Sequence, residues 1–175
     1  MGADPADLML FAEEFLAACE EALDTVPIAI PGLEGAPARS FIAPGQPAAD
    51  CCPQLTVHVV GVSEDQLGAF VPGRSAMTSR VNQVTLAMTL YRCAETEKVM
   101  PLESELIAAA TQVNADGWAL WNHLYNLRCA GALSTLCDSV EWVSLTPIVP
   151  SGGCGGWVLT ARMQLDGYQE TIASS

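Results

Sequence analysis

The alternating pattern between Trp157 and Asp166 constrains the fold more than any other feature of the chain. Apolar and polar side chains take turns there: Trp157, Leu159, Ala161, Met163 and Leu165 against Thr160, Arg162, Gln164 and Asp166. A period of two is typical of a strand with one buried face and one wetter face. We therefore expect a sheet that is covered by other elements on one side.

Three further segments predict strands that join this sheet. Leu55–Val62 is aliphatic and β-branched, as in a core strand, and Arg80–Cys93 alternates between apolar and polar residues. Val140–Ile148 is expected to form a hairpin with the last strand, through a turn at Pro150–Gly156 that is rich in glycine.

Two segments show helical periodicity. The first begins with Pro5 at the first helical position and carries an apolar stripe at steps of three and four: Leu8, Phe11, Phe15, Cys19, Ala22 and Val26. The second runs from about Pro101 to Arg128, and its main stripe contains Leu102, Leu106, Ala110, Val113, Leu120, Leu124 and Leu127. Both stripes are expected to face the sheet.

The second predicted helix is apolar on more than one side. Trp118, Trp121 and Tyr125 form an additional stripe at spacings of three and four. Gly117, beside them, weakens the helix by about 1 kcal/mol relative to alanine, so we interpret it as a close packing contact. This helix is therefore predicted to cover the sheet and also to touch something else.

The order helix, two strands, helix, two strands predicts an α+β fold. We expect one domain over residues 1–175, with a mostly antiparallel sheet of about four strands, two main helices that cover it, and long loops rich in proline and glycine. Residues 27–53 contain six prolines and are predicted to form an extended arm, and residues 167–175 a C-terminal tail.

Charge is scarce in this chain. Charged residues make up 15% of the sequence, against about 25% in an ordinary soluble domain, while hydrophobic residues make up 50%. We infer that other subunits hide part of the surface. Phe41 and Ile42 in the arm, and Phe70 and Val71 in the loop between the first two strands, are large apolar residues among prolines and glycines, and are predicted to form the subunit interface.

The net charge of −13 disfavours general binding to nucleic acids or to an anionic membrane, because both need a supply of cations. The N-terminal residues are acidic where a secretory signal would be basic, and no apolar stretch reaches the roughly 20 residues of a membrane helix. We therefore expect a protein that is made in the cytoplasm and does not contact membranes.

Seven cysteines invite several interpretations. Most are interpreted as small buried apolar residues, since free cysteine packs in this way. The next alternative is a disulfide formed after assembly, in which Cys51 or Cys52 pairs with Cys93 or Cys154, because these residues lie near predicted strand ends. A metal site is the last alternative, since no C-x2-C or C-x4-C spacing occurs.

Residues for catalysis are hard to find. His58 and His123 are the two histidines of the chain, one in an apolar strand and one on the second helix, and no nucleophile motif surrounds either. The Gly152–Gly156 loop precedes a strand and is not followed by Lys-Ser or Lys-Thr, unlike a phosphate-binding loop. We predict that the protein is not an enzyme and binds no cofactor or metal.

Three short motifs carry a resemblance to a known family: Asp50-Cys51-Cys52, Tyr91-Arg92-Cys93 and the segment Gly152–Trp157. With the order of elements around them, from about Leu8 to Leu165, the chain resembles the small neck proteins of long-tailed actinobacterial phages. Within that group it looks most like the tail terminators.

The resemblance implies a structural protein of the virion neck, assembled in the host cytoplasm. It implies a homo-oligomeric ring, usually a hexamer, that sits on the last ring of the tail tube protein, ends tube growth and offers its other face to the head-side connector or stopper protein. Double-stranded DNA would pass through its channel without specific binding. The family has no catalytic residues to transfer. Two alternatives remain: another neck component, either a head-completion stopper or a portal adaptor, and a small cytosolic enzyme with a cysteine nucleophile.

Overall fold

The computed structural model describes residues 5–26, 35–46, 53–67, 79–93, 103–130, 139–151 and 154–164. Two helices and five strands occur within these ranges. In chain order they are α1 (Pro5–Asp24), β1 (Ser40–Ile42), β2 (Gln54–Leu67), β3 (Ser79–Cys93), α2 (Glu103–Ala130), β4 (Ser139–Ser151) and β5 (Cys154–Gln164).

The five strands form one sheet in the order β1-β2-β3-β5-β4. All neighbours are antiparallel except β1, which runs parallel to β2. The predicted α+β class is therefore confirmed, but the sheet is mixed and has one strand more than the expected four. The extra strand comes from the predicted arm: Ser40 pairs with Leu55 and Ile42 with Val57. Backbone hydrogen bonds explain this, since the Ala43 amide donates to the Val57 carbonyl.

The strands are longer than their apolar cores indicate. β2 and β3 stay paired as far as Leu67 and Ser79, so the Ser63–Leu67 part of the predicted connection belongs to a two-stranded ribbon. β4 and β5 likewise continue into the predicted glycine-rich turn, where Ser151 pairs with Cys154. Polar residues extend these strands because a ladder of backbone hydrogen bonds does not require apolar side chains.

Both helices pack on the same face of the sheet, with α1 over β1 and β2 and α2 over β5 and β4. The alternation of the sequence gives this face its core, since Val84, Leu86 and Met88 of β3 pair with Met163, Ala161 and Leu159 of β5. The largest buried apolar side chains are Phe15, Leu23, Leu55, Leu86, Met88, Leu90, Leu120, Leu124, Leu159 and Met163. The predicted apolar stripe of α1 is confirmed from Phe11 to Val26.

Two stretches that the sequence predicts as core are exposed. Val60 and Val62 are both 58% exposed, because β1 pairs with β2 at Leu55–Val57 and leaves the edge of β2 beyond it uncovered. Leu106 is also exposed, because it lies in the first turns of α2, whose first buried residue is Gln112. Aliphatic residues alone do not reveal where a covering element stops.

Candidate interaction surface

A buried ion pair holds α2 against the sheet. Arg92, near the end of β3, donates two hydrogen bonds to the carboxylate of Asp116 in α2, from Nε to Oδ2 at 2.9 Å and from Nη2 to Oδ1 at 3.2 Å. The two side chains are 3% and 0% exposed. Such a two-pronged contact fixes both distance and orientation, because the guanidinium and the carboxylate are planar.

Two more groups complete this polar cluster. The amide of Gln112, one turn before Asp116, donates to Asp116 Oδ1 at 3.0 Å, and Arg92 Nη2 donates to the carbonyl of Gly35 at 2.7 Å. Gly35 has a φ of +62°, and its neighbour Ala36 donates its amide to Asp24 at the end of α1. The cluster thus joins β3 and α2 to Gly35, the first described residue of the arm. The carboxylate of Asp116 accepts three hydrogen bonds in it.

A second contact fixes α2 on β5. The indole Nε1 of Trp157 donates to the carbonyl of Val113, and the ring lies against Gly117. A β-carbon at Gly117 would come within 2.4 Å of Trp157 Cε2. The predicted packing role of Gly117 is therefore confirmed, and the stretch from Gln112 to Gly117 is held by the sheet on its inner side.

The outer side of α2 carries a different set of side chains. Trp118 is 69% exposed, Ile107 59% and Tyr125 50%. With a helical period of 3.6, these three residues, Thr111 and Asn114 lie on one stripe about 27 Å long, which we call the α2 stripe. Trp121, the third residue of the predicted aromatic stripe, is half-buried and packs against the core instead.

The α2 stripe lacks charge where a solvated helix face would carry it. Between Leu106 and Leu127 the sequence has one carboxylate, the buried Asp116, and no lysine or arginine. A surface helix ordinarily presents charged residues to water. Exposed tryptophan and tyrosine without charged neighbours are typical of the centre of a protein–protein interface. The α2 stripe is therefore the surface of this helix at which the predicted contact with something besides the sheet would form.

A second uncharged patch lies at the open edge of β2. It consists of Val59, Val60 and Val62, which we call the β2 patch. The pairing register shifts between Val59 and Gly61, so the strand bulges at Val60, which is 58% exposed. Because α1 covers β1 and β2 whereas α2 covers β5 and β4, the β2 patch and the α2 stripe lie toward opposite edges of the sheet.

The structure describes two of the four residues that are predicted to form the subunit interface. Ile42 packs against the protein's own core from β1, and Phe41 is half-buried beneath the guanidinium of Arg39, whose Cζ lies 5.5 Å from the ring centre. Phe70 and Val71 lie outside the described residues. Contact of any of these four with a neighbouring subunit stays a prediction.

Five of the seven cysteines fall into three groups. Cys19 is a free thiol in the core, and burial, with the Glu20 carboxylate second, raises its pKa far above the usual range. Cys93 and Cys154 are register partners at the ends of β3 and β5. Cys51 and Cys52 lie outside the described residues, so the predicted pairing of either with Cys93 or Cys154 stays a prediction.

The two histidines lie in different surroundings within the described part of the chain. His58 is buried in β2, its Nδ1 has no hydrogen-bond partner in the described part of the chain, and burial lowers its pKa. His123 Nε2 lies 3.6 Å from the carboxylate of Glu21 in α1, beyond hydrogen-bonding distance. Among the residues that the structure describes, no three His, Cys, Asp or Glu side chains are grouped closely enough to hold a metal ion.

Two features of this surface escape sequence reasoning. The Arg92–Asp116 pair joins residues 24 positions apart. Its signal in the sequence is that Arg92 is the one charged residue between Arg80 and Glu95, and Asp116 the one between Glu105 and Arg128. The β2 patch resembles a core strand in sequence, and nothing in its composition shows that β1 ends early. No helix in the described ranges combines the length and apolarity that crossing a bilayer requires.

Comparisons with known proteins return little. A scan against models of protein families finds no match, and a search of the curated proteins finds none either. Among solved structures, a chain from the "Virion of native gene transfer agent (GTA) particle" aligns over 86% of this chain and 92% of its own length, at 13% identity and a TM-score of 0.30. A TM-score this low does not establish a common fold.

Proposed function

We propose that this protein is a structural component of a phage-like virion, and within the virion the tail terminator. In this role it forms a ring on the last ring of the tail tube, ends tube polymerisation and joins the tail to the head-side connector. One observation carries the proposal: α2 presents an uncharged stripe with Trp118 at its centre, in a chain whose net charge is −13. Leaving such a stripe in water is unfavourable, whereas burying it between subunits is favourable.

The surroundings of the α2 stripe support an assembly role. Arg92–Asp116 and Trp157–Gly117 fix the inner side of the helix, so the outer side is a preorganised surface that loses little entropy when a partner binds. Arg92 of the Tyr91-Arg92-Cys93 motif anchors this helix through its pair with Asp116. The gene transfer agent chain also belongs to a virion, but its TM-score of 0.30 is too low for this likeness to support the proposal.

Tube termination can be tested with purified components. The tail tube protein of the same phage is polymerised with and without this protein, and tube lengths are measured by negative-stain electron microscopy. We expect shorter tubes with a ring at one end. Trp118→Glu, which places a charge in the α2 stripe, should leave the tubes long, whereas its matched control Ala17→Glu, an added charge on the exposed side of α1, should act as the parent does. Unchanged tube lengths and bare ends would contradict the terminator role.

The alternatives predict different results in related assays. A head-completion stopper or portal adaptor would bind tailless heads and leave headless tails bare, whereas a terminator would do the reverse. A cysteine-dependent enzyme would carry one thiol that alkylates unusually fast at neutral pH because its pKa is lowered. Cys19 is a poor candidate for that nucleophile, since burial raises its pKa.

A further inference from the structure

We propose that copies of this chain associate head to tail, with the α2 stripe of one copy packed on the β2 patch of the next. This contact deepens the proposed ring and rests on it for the closure of the assembly. It assigns the subunit interface to α2 and to the open edge of β2, toward opposite edges of one sheet.

The first argument is charge. Two copies that each carry −13 repel one another, so they can approach closely where their surfaces are uncharged. The α2 stripe carries no charge and the β2 patch consists of three valines, and both are exposed, with Trp118 at 69% and Val60 and Val62 at 58% each. An apolar partner suits each patch, and each copy supplies both.

The second argument is placement. The sheet order puts β2 near one edge and β4 at the other, with α1 above the β2 side and α2 above the β4 side. On α2, His123 faces α1 and Asp116 faces the sheet, so the α2 stripe occupies the remaining, outward side. Two different patches on opposite sides of a molecule produce a head-to-tail contact, which closes into a ring when the rotation per copy allows it.

The third argument is that direct continuation of the sheet through β4 is blocked. β4 has a bulge between Trp142 and Ser144, and Pro147 and Pro150 lack the amide hydrogen that a neighbouring strand would need. Packing of α2 on the open edge of β2 avoids this obstacle. The helix makes contact through its side chains, so the backbone edge of β4 is not used.

The test uses two charge variants, alone and mixed, in sedimentation velocity experiments on the full chain. Trp118→Glu removes the α2 stripe and Val60→Glu the β2 patch, whereas Ala17→Glu adds the same charge elsewhere. We expect the parent and Ala17→Glu to assemble and each of the other two variants to sediment as a monomer. An equimolar mixture of the two should form dimers and nothing larger, because each contributes its one intact patch.

Each other outcome overturns the inference. A parent that stays monomeric at about 100 μM, a Trp118→Glu or Val60→Glu variant that assembles as the parent does, or a mixture without dimers would contradict it. If Val60→Glu still dimerises while Trp118→Glu does not, α2 packs on α2; if Phe41→Asp alone prevents assembly, the arm is the interface.

Two further points keep the result interpretable. Circular dichroism checks the fold of every variant, and Ile107→Lys and Val62→Lys replace any variant that misfolds. The proposed function fails separately: a parent that assembles and passes the mixing test but leaves tube lengths unchanged has the inferred contact without being a terminator.

Discussion

Gly117 in α2 lies so close to the indole of Trp157 in β5 that its missing β-carbon is part of the packing between helix and sheet. A β-carbon there would meet Trp157 Cε2 at 2.4 Å and Cζ2 at 2.7 Å. The ring cannot retreat freely, because its Nε1 donates to the carbonyl of Val113. The close packing of α2 on β5 at this position therefore depends on a residue without a side chain in α2 and a large ring in β5.

Replacing this glycine gives the first prediction. On propensity alone Gly117→Ala would stabilise the helix by about 1 kcal/mol, but the clash with Trp157 should outweigh that gain and destabilise the fold by roughly 1–3 kcal/mol. Urea denaturation measures the difference, and Gly117→Ala combined with Trp157→Phe should recover part of the loss. A more stable Gly117→Ala variant would show that the contact is loose.

The buried ion pair gives the second prediction. Asp116→Asn leaves the Arg92 guanidinium unpaired in the core, so we expect a loss of about 3–5 kcal/mol in the free energy of unfolding. The exposed pair of Arg162 and Glu141, 3.4 Å apart, is the matched control, and Glu141→Gln should cost less than about 1 kcal/mol. The double change Arg92→Met with Asp116→Leu should cost less than the sum of its parts. Equal losses for Asp116→Asn and Glu141→Gln would contradict the assigned role of the cluster.

The sequence predicts the helices and the faces of the central strands well. The period of two in β3 and β5 and the stripe of α1 follow from burial on one side, which local pattern reports directly. The pairing of Ser40–Ile42 with β2, the early end of β1 and the Arg92–Asp116 pair depend on residues distant in sequence, so no local period encodes them. The same limit explains why Val60 and Val62 resemble core residues and yet are exposed.

His58 gives a prediction about pH. Burial lowers its pKa in the folded state, so below an unfolded value of about 6.5 the unfolded chain binds a proton that the folded chain does not. Stability is therefore full above about pH 6.5 and falls as the pH drops toward the folded pKa, with a slope of at most about 1.4 kcal/mol per pH unit. His58→Gln should flatten this part of the profile. Identical slopes for parent and variant between pH 7.5 and 5.5 would contradict the burial of a neutral imidazole.

The cysteines give a prediction about oxidation. Directly opposed residues in an antiparallel pair have Cα atoms about 4.5–5.5 Å apart, within the range for a disulfide, and Cys93 and Cys154 are such partners. We expect oxidised glutathione to join them, with both thiol hydrogens ending on two molecules of reduced glutathione. Non-reducing peptide mapping, with Cys93→Ser as the control, detects the bridge. A bridge from either to Cys51 or Cys52 would favour the pairing that the sequence alone suggests.

Cys19 is expected to behave differently from an active-site thiol. Its burial and its raised pKa keep it protonated, so iodoacetamide at neutral pH should leave it unmodified in the folded protein and label it after denaturation in urea. Peptide mass spectrometry of the two samples makes the comparison. Rapid labelling of native Cys19 would favour the enzyme alternative.

A cryo-electron microscopy map of the assembled virion neck tests the central claim most directly. The account predicts this chain as a ring at the head-proximal end of the tail tube, with Trp118 of every copy buried against Val60 and Val62 of the next. A map in which the chain is absent from that ring, or in which the α2 stripe faces solvent in every copy, would contradict it.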